Sequence, residues 1–358
     1  MFYRLAGVRH TTYRSARRLY PVPFDRHLLT AITVIAIAAP FLFSPLALNS
    51  YLLPWIIWST AALGLNLLMG WAGQIHLGYA AVMAIGAYTS IHSVRAGVPF
   101  EISLILAGLA AAAIGFIFGA AALRVKGLYL AVTTLAMQSI VDWTIVHVPA
   151  ISGGSQATLQ APPLTVLGWP ITSDAGRYWF ALATCAVVTT FLLNVNRTSL
   201  GRALVAVREK DFAAAIIGVN PFKYKLLAFW CSSFIGGVTG AVLAFCYYRA
   251  VTPEQFHLEV SIQAVAMVIV GGLGSVLGSF FGAGLVLLAP IFLNNLVSAV
   301  AAALNLPLYA DIISHIPLVL YGALIVGFLL YEPLGLAKIY DNVRNYFLVW
   351  PFRHTRHG

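Results

Sequence analysis

Asp142 is the one acid set well inside an apolar run, and Gln138 lies one helical turn before it, so the two share a face of any helix through this stretch. A carboxylate in such a run can bind a cation or relay a proton; beside a glutamine it can equally form a buried structural hydrogen-bond pair. Asn66, Gln74, His76 and Gln263 are further polar side chains in apolar surroundings and complete the set of candidate path-lining residues. His76 alone reads more readily as an interhelical hydrogen bond than as a ligand. The nine histidines show no HExxH and no Cys/His ligand spacing, so a metal site has no support. No lysine follows a glycine, which excludes the GxxxxGK[ST] loop and with it a P-loop nucleotide site. No nucleophile and base stand at usable spacing, so no catalytic residue is assigned and a membrane-embedded enzyme is disfavoured. What remains is the chemistry of passage: a solute held and released without a covalent step.

The elements that must position these residues belong in lipid. Of 358 residues, 60% are hydrophobic and only 9% charged, with a mean hydropathy of +0.87. Soluble chains are about 25% charged, so a water-soluble globule is excluded. The apolar runs have helical length and lack the ten-residue alternation of a membrane barrel. The expected fold is an all-α integral membrane protein, a polytopic bundle of about ten segments, some of them broken or re-entrant. The segments begin near Leu28, Tyr51, Gln74, Glu101, Leu128, Tyr178, Leu226, Val260, Val276 and Ile316. Those at Gln74 and Val276 each follow a glycine-rich break.

Lysine and arginine sort strongly between the two sides of such a bundle. With a cytoplasmic N-terminus and ten alternating spans, eighteen fall inside, and only Arg95, Arg177 and Arg249 fall outside. The net charge of +10 is therefore a topology signal, favourable towards anionic lipid and requiring no nucleic acid. Both termini are expected in the cytoplasm. Residues 1–27 form a basic segment without the pattern of a cleavable signal, 28–336 the transmembrane domain, and 337–358 a cytoplasmic or interfacial tail. Cys185, Cys231 and Cys246 lie in apolar spans and read as packing residues.

One polar, basic island interrupts the apolar sequence at 196–225. Thr198 and Ser199 can cap a helix start, Gly218 supplies a left-handed stop, and Asn220 with Pro221 starts the next helix. The expected form is a short helix, a tight turn and a second helix entering the membrane. An exposed helix on a membrane protein is suited to docking a partner, the alternative being a solvated connection.

Glycines mark two further features. Gly274, Gly278 and Gly282 recur every four residues, as do the pairs Gly115/Gly119 and Gly236/Gly240, which gives smooth strips for close helix contact. The breaks around Gly70 and Gly73, and around Gly271, Gly272 and Gly274, cost helix stability unless the broken backbone is buried in protein or lines a cavity.

The island, with LGLNLLMGWAGQIHLGYAAVMAIGAYT (63–89), LRVKGLYLAVTTLAMQ (123–138) and MVIVGGLGSVLGSFFGA (267–283), resembles the permease subunits of branched-chain amino acid ABC importers, the LivM-like group. The likeness runs from about residue 28 to 336. It implies a heteromeric importer of the bacterial inner membrane: a second, different permease chain, two cytoplasmic ATPases that bind ATP and Mg, and a periplasmic solute-binding protein. The implied solute is a branched-chain amino acid, or a relative's urea, amide or aromatic acid. The resemblance also assigns ATPase coupling to residues 202–221. Ala213 and Ala214 would allow close approach and Gly218 bend the chain before Pro221, while Arg202, Arg208, Glu209, Lys210 and Asp211 supply polar contacts. The family pattern has Glu-Ala-Ala here, but Phe212 holds the acidic position. Two outer loops, at 149–177 and 251–259, are where a binding protein would dock; in the first, Ala157 replaces the last glycine of a Gly-Gly-polar-polar-Gly run. The competing class is a stand-alone secondary transporter or channel using Asp142 as an ion site, and such a carrier has no need of the island.

Overall fold

In hydrocarbon every backbone N–H and C=O must be satisfied within the protein, so apolar runs of this length fold as helices. A computed structural model describes residues 12, 23–125, 128–154, 158–303, 319–320, 322–323, 325–327, 330, 332 and 334–349. Its helices are α1 Pro23–Leu42, α2 Pro45–Trp71, α3 Tyr79–Arg95, α4 Phe100–Ala122, α5 Leu128–His147, α6 Asp174–Arg197, α7 Ser199–Glu209, α8 Asp211–Ile216, α9 Pro221–Tyr248, α10 Leu258–Gly271, α11 Val276–Ala303 and α12 Leu336–Val349. Among the described residues six helices are long and apolar enough to cross a membrane: α2, α4, α5, α6, α9 and α11. The chain is a helical polytopic membrane protein. The start of the tenth segment at Ile316, much of the N-terminal basic segment with Arg4, Arg9, Arg14, Arg17 and Arg18, the side chain of Arg26, Lys126, Ser155 to Ala157, and the tail residues Trp350, Phe352, Arg353 and Arg356 lie outside the described residues.

Helices α2 and α9 are the most buried and form the centre. Close approach explains the glycines on α9. A Cβ at Gly237 would meet Ala107 and Ala111 of α4, and one at Gly240 would run into the Met83 backbone of α3. From the other side Gly115 and Gly119 of α4 face Ser233 and Phe229 of α9. Of the expected strip, Gly278 and Gly282 serve the α10–α11 contact, Gly278 against the Gly271 carbonyl and Gly282 against that of Met267, whereas Gly274 lies in the turn before α11 and faces Gly70, Trp71 and Arg208. At the edge, Pro40 in α1 cannot donate to the Ala36 carbonyl. Tyr178 of α6 donates its hydroxyl to that oxygen at 2.9 Å, and Trp179 donates to the Ile37 carbonyl at 3.1 Å.

Contacts sort the connections into two ends. At the near end lie the segment after α2, the α7–α8 island, the turn 272–275 and the start of α12: Arg208 donates to the Gly70 carbonyl, and Gly335 packs on Gly272. At the far end Arg95 donates to the Gln160 carbonyl and Leu167 N to Glu101, while Asp174 pairs with Arg177 and with Arg249 at 3.6 Å. All three cations assigned outside thus gather at one end, as the alternating topology requires. Four two-residue strands also lie there: β1 (Leu159–Gln160) pairs with β4 (Ala250–Val251), and β2 (Thr165–Val166) with β3 (Trp169–Pro170). The β1–β4 pair joins the two outer loops to one another.

Several boundaries differ from expectation, the first, second and seventh segments beginning earlier, at Pro23, Pro45 and Pro221. The third segment begins at Tyr79 and not at Gln74, because Gly73 is left-handed (φ +66) and residues 72–78 are non-helical. The sixth begins at Asp174, capped by Ser173, whose hydroxyl accepts from Gly176 N. The island holds two short helices before α9 rather than one: Lys210 is extended (φ −151, ψ 96) and turns the axis between α7 and α8. Gly218 (φ +87) and the Asn220 cap, which accepts from Lys223 N at 3.2 Å, are as expected.

Candidate translocation and coupling site

The glycine breaks meet. Asn66, near the end of α2, accepts from Gly274 N at 2.8 Å through Oδ1 and donates through Nδ2 to the Ser275 carbonyl (2.8 Å) and Ser279 Oγ (2.9 Å). Five residues on, Trp71 Nε1 donates to the Gly274 carbonyl at 3.0 Å. A Cβ at Gly70 would collide with Asn66 and with the Gly274 backbone, which explains glycine there, while Gly274 is left-handed (φ +87). The broken backbone is thus buried in protein and satisfied by side chains from the opposite break. Asn66, read as a candidate path residue, has its amide committed to this joint.

Beyond the joint, residues 72–78 run into the bundle without helical structure. Gln74 donates to the Ala72 carbonyl at 3.0 Å, and Leu77 N donates to Thr134 Oγ1 at 3.0 Å. His76 is buried: its Nδ1 accepts from Gly78 N at 3.3 Å, while its ring packs against Tyr79 and Phe229. The interhelical hydrogen bond expected of it is not made, because Nε2 has no partner.

Helix α3 then starts with its first N–H groups unserved by its own turns. Two neighbouring helices fill that need: Ser261 Oγ accepts from Ala80 N at 2.8 Å, and Gln138 Oε1 accepts from Ala81 N at 2.8 Å and from Ser261 Oγ at 3.0 Å. Gln138 Nε2 donates to Asp142 Oδ1 at 2.9 Å and to the Phe256 carbonyl at 2.8 Å. At 1% exposure Gln138 is wholly occupied with protein partners. It stands midway along α5, so two legs, the non-helical 72–78 from the near end and 249–257 with its single 3-10 turn (Pro253–Phe256) from the far end, converge at half height. Asp142 is one turn further on, its side chain 22% exposed and 3.8 Å from His257 Nδ1. Gln263, half-buried on α10, makes no side-chain hydrogen bond among the described residues.

The island is held at three points. Gly201, Leu204 and Val207 bury one face of α7, Gly201 packing directly on the backbone of Val195 and Asn196. Arg208 reaches the α2 break. Asp211 pairs with Lys225 at the start of α9, Oδ2 to Nζ at 2.5 Å, and Ala214 is buried. Arg202, Glu209, Lys210, Ala213 and Gly218 are exposed, as are Phe212 at 81%, Ile216 and Ile217. Arg208 and Asp211, read as polar contacts to a partner, therefore have partners within the chain. The sequence reading missed Phe212, Ile216 and Ile217 as a face: three large apolar side chains on α8 and its C-cap, flanked by Lys210 and Gly218, were the available signal. Among the described residues no group of three His, Cys, Asp or Glu is placed to hold a metal ion.

A buried helical bundle with paired glycine breaks and a projecting, anchored elbow has the architecture of a membrane permease component. The chain belongs to the family described as branched-chain amino acid transport system / permease component, whose model matches residues 47–329. It is 34% identical over 271 residues to the high-affinity branched-chain amino acid transport system permease protein LivM of Salmonella typhimurium, and equally so to that of Escherichia coli. Each alignment covers 69% of this chain, which spans 63% of the relative's length. The probable LivM protein of Methanocaldococcus jannaschii is 24% identical over 243 residues, covering 65% of this chain and 68% of the relative.

Proposed function

We propose that this chain is the permease subunit of an ATP-driven importer and forms the translocation path for a branched-chain amino acid or a related small solute. ATP and Mg are bound by partner ATPases, which seat on the island from the cytoplasm; a second permease chain completes the path; a periplasmic binding protein delivers solute to the loops joined by β1 and β4. The observation that carries this reading is the α8 elbow. It exposes Phe212, Ile216 and Ile217 outside the bundle while Ala214, the Asp211–Lys225 pair and α7 fix it to the bundle. Apolar side chains presented on a braced polar segment suit a protein partner better than water. The lysine and arginine asymmetry supports a cytoplasmic position for that end, and the family supports the bacterial inner membrane. The stand-alone carrier gains nothing from Asp142, whose carboxylate already accepts from Gln138.

The test is reconstitution. The purified chain alone should hydrolyse no ATP and should form a detergent-stable complex with its cognate ATPase. Gly218→Leu, which forces a bulky residue into a left-handed turn, should break that complex; an undisturbed complex removes the elbow from docking. Uphill solute accumulation by vesicles holding this chain alone would overturn the reading altogether.

A further inference from the structure

Arg208 joins the island to both glycine breaks at once. Its Nη1 donates to the Gly70 carbonyl, an oxygen at the disrupted end of α2. Its aliphatic stem covers Gly73, where a Cβ would stand 3.0 Å from Arg208 Cγ, and its Nη1 would be 3.4 Å from a Cβ on Gly274. Gly73 and Gly274 are both left-handed, at φ +66 and +87, so the backbone turns away under the guanidinium in each break. Asn66 and Trp71 tie the same two breaks to each other. From Gly70 the chain continues through 72–78 to the half-height meeting point at Gln138. A rigid link therefore runs from the last turn of α7, through one guanidinium, to the backbone that leads into the middle of the bundle.

We propose that Arg208 is a positioning residue that transmits island movement to the joined breaks, opening or closing the near end of the path. This rests on the island being the seat of the ATPase. The anchors divide the labour: Asp211–Lys225 and the buried face of α7 hold the elbow on the bundle whatever Arg208 does, whereas Arg208 adds the hydrogen bond to the break itself. A charge-assisted hydrogen bond to a carbonyl is strong enough to carry such a link and is lost completely on truncation. Lysine, a single flexible donor, would restore it only partly.

The experiment uses the full complex of both permease chains, ATPases and binding protein in sealed vesicles, reading ATP hydrolysis and solute uptake separately. Arg208→Ala should assemble and hydrolyse ATP, but the solute carried per ATP should fall about tenfold, the scale of a typical coupling between sites. Arg208→Lys should recover part of that ratio, which a purely structural role would leave unmoved. An unchanged ratio in Arg208→Ala overturns the proposal. So does loss of the ATPase from Arg208→Ala complexes, which would put Arg208 on the docking face. Arg208→Gln, with a similar stem and a neutral donor, guards against misfolding of the alanine variant: a ratio equal to wild type there also overturns it. Failure of the wild-type chain to bind the ATPase is a separate result and counts against the functional reading instead.

Discussion

Asn66 shows how a single amide can hold a break together. Its oxygen and nitrogen serve three groups of the opposite break: the Gly274 N–H, the Ser275 carbonyl, which also accepts from Ser279 N, and the Ser279 hydroxyl. Asn66→Leu keeps roughly the volume and strands the Gly274 N–H, while the Ser275 carbonyl keeps the Ser279 N–H, at a cost of about 1–3 kcal/mol for one unsatisfied group. Unfolding of the purified protein by titration with SDS should show that loss. Gln138 is the parallel case: Gln138→Leu uncaps α3 and releases Asp142 together, and should destabilise by a similar amount. Asp142→Asn keeps an acceptor oxygen for Gln138, so it should fold normally and change only uptake. Unchanged uptake at normal protein levels would assign Asp142 to packing alone.

At the scale of elements, glycine strips set how near the helices lie. Gly282 faces the Met267 carbonyl with no room for a side chain, so Gly282→Leu must push α11 off α10. Overpacking of this kind costs about 1–3 kcal/mol, and because it also shifts the turn braced by Asn66, transport should fall further than stability does. Parallel measurements of unfolding and uptake check this. These strips were legible in the sequence because a four-residue repeat is local information. So were the Gly218 stop and the Asn220–Pro221 start, where a few consecutive residues decide the backbone. Asn66 and Gly274 are 208 residues apart, and nothing near either one names the other. The start of α3 differs from expectation for the same reason: the acceptors for Ala80 and Ala81 come from α10 and α5, far away in sequence. The break at Lys210 follows from Asp211 reaching Lys225, a pairing across the turn that no helical periodicity reveals.

The whole molecule has one end rich in lysine and arginine and one where three arginines are tied into the far loops. That arrangement predicts sidedness. In sealed vesicles of known orientation, Ile217→Cys and Trp169→Cys should react with a membrane-impermeant maleimide from opposite faces, both positions being highly exposed. Labelling of both from one face would refute the alternating topology. The native Cys185 and Cys246 are buried and offer little background, and Cys231 is part-buried.

The elbow also constrains how the chain is produced. Phe212, Ile216 and Ile217 stand exposed on the polar connection between α6 and α9. A copy synthesised without anything to cover them carries a sticky tip, prone to gather other such tips and to be cleared by proteases that read exposed grease. On the docking role proposed above, yield in an expression host should track the supply of the partner ATPase.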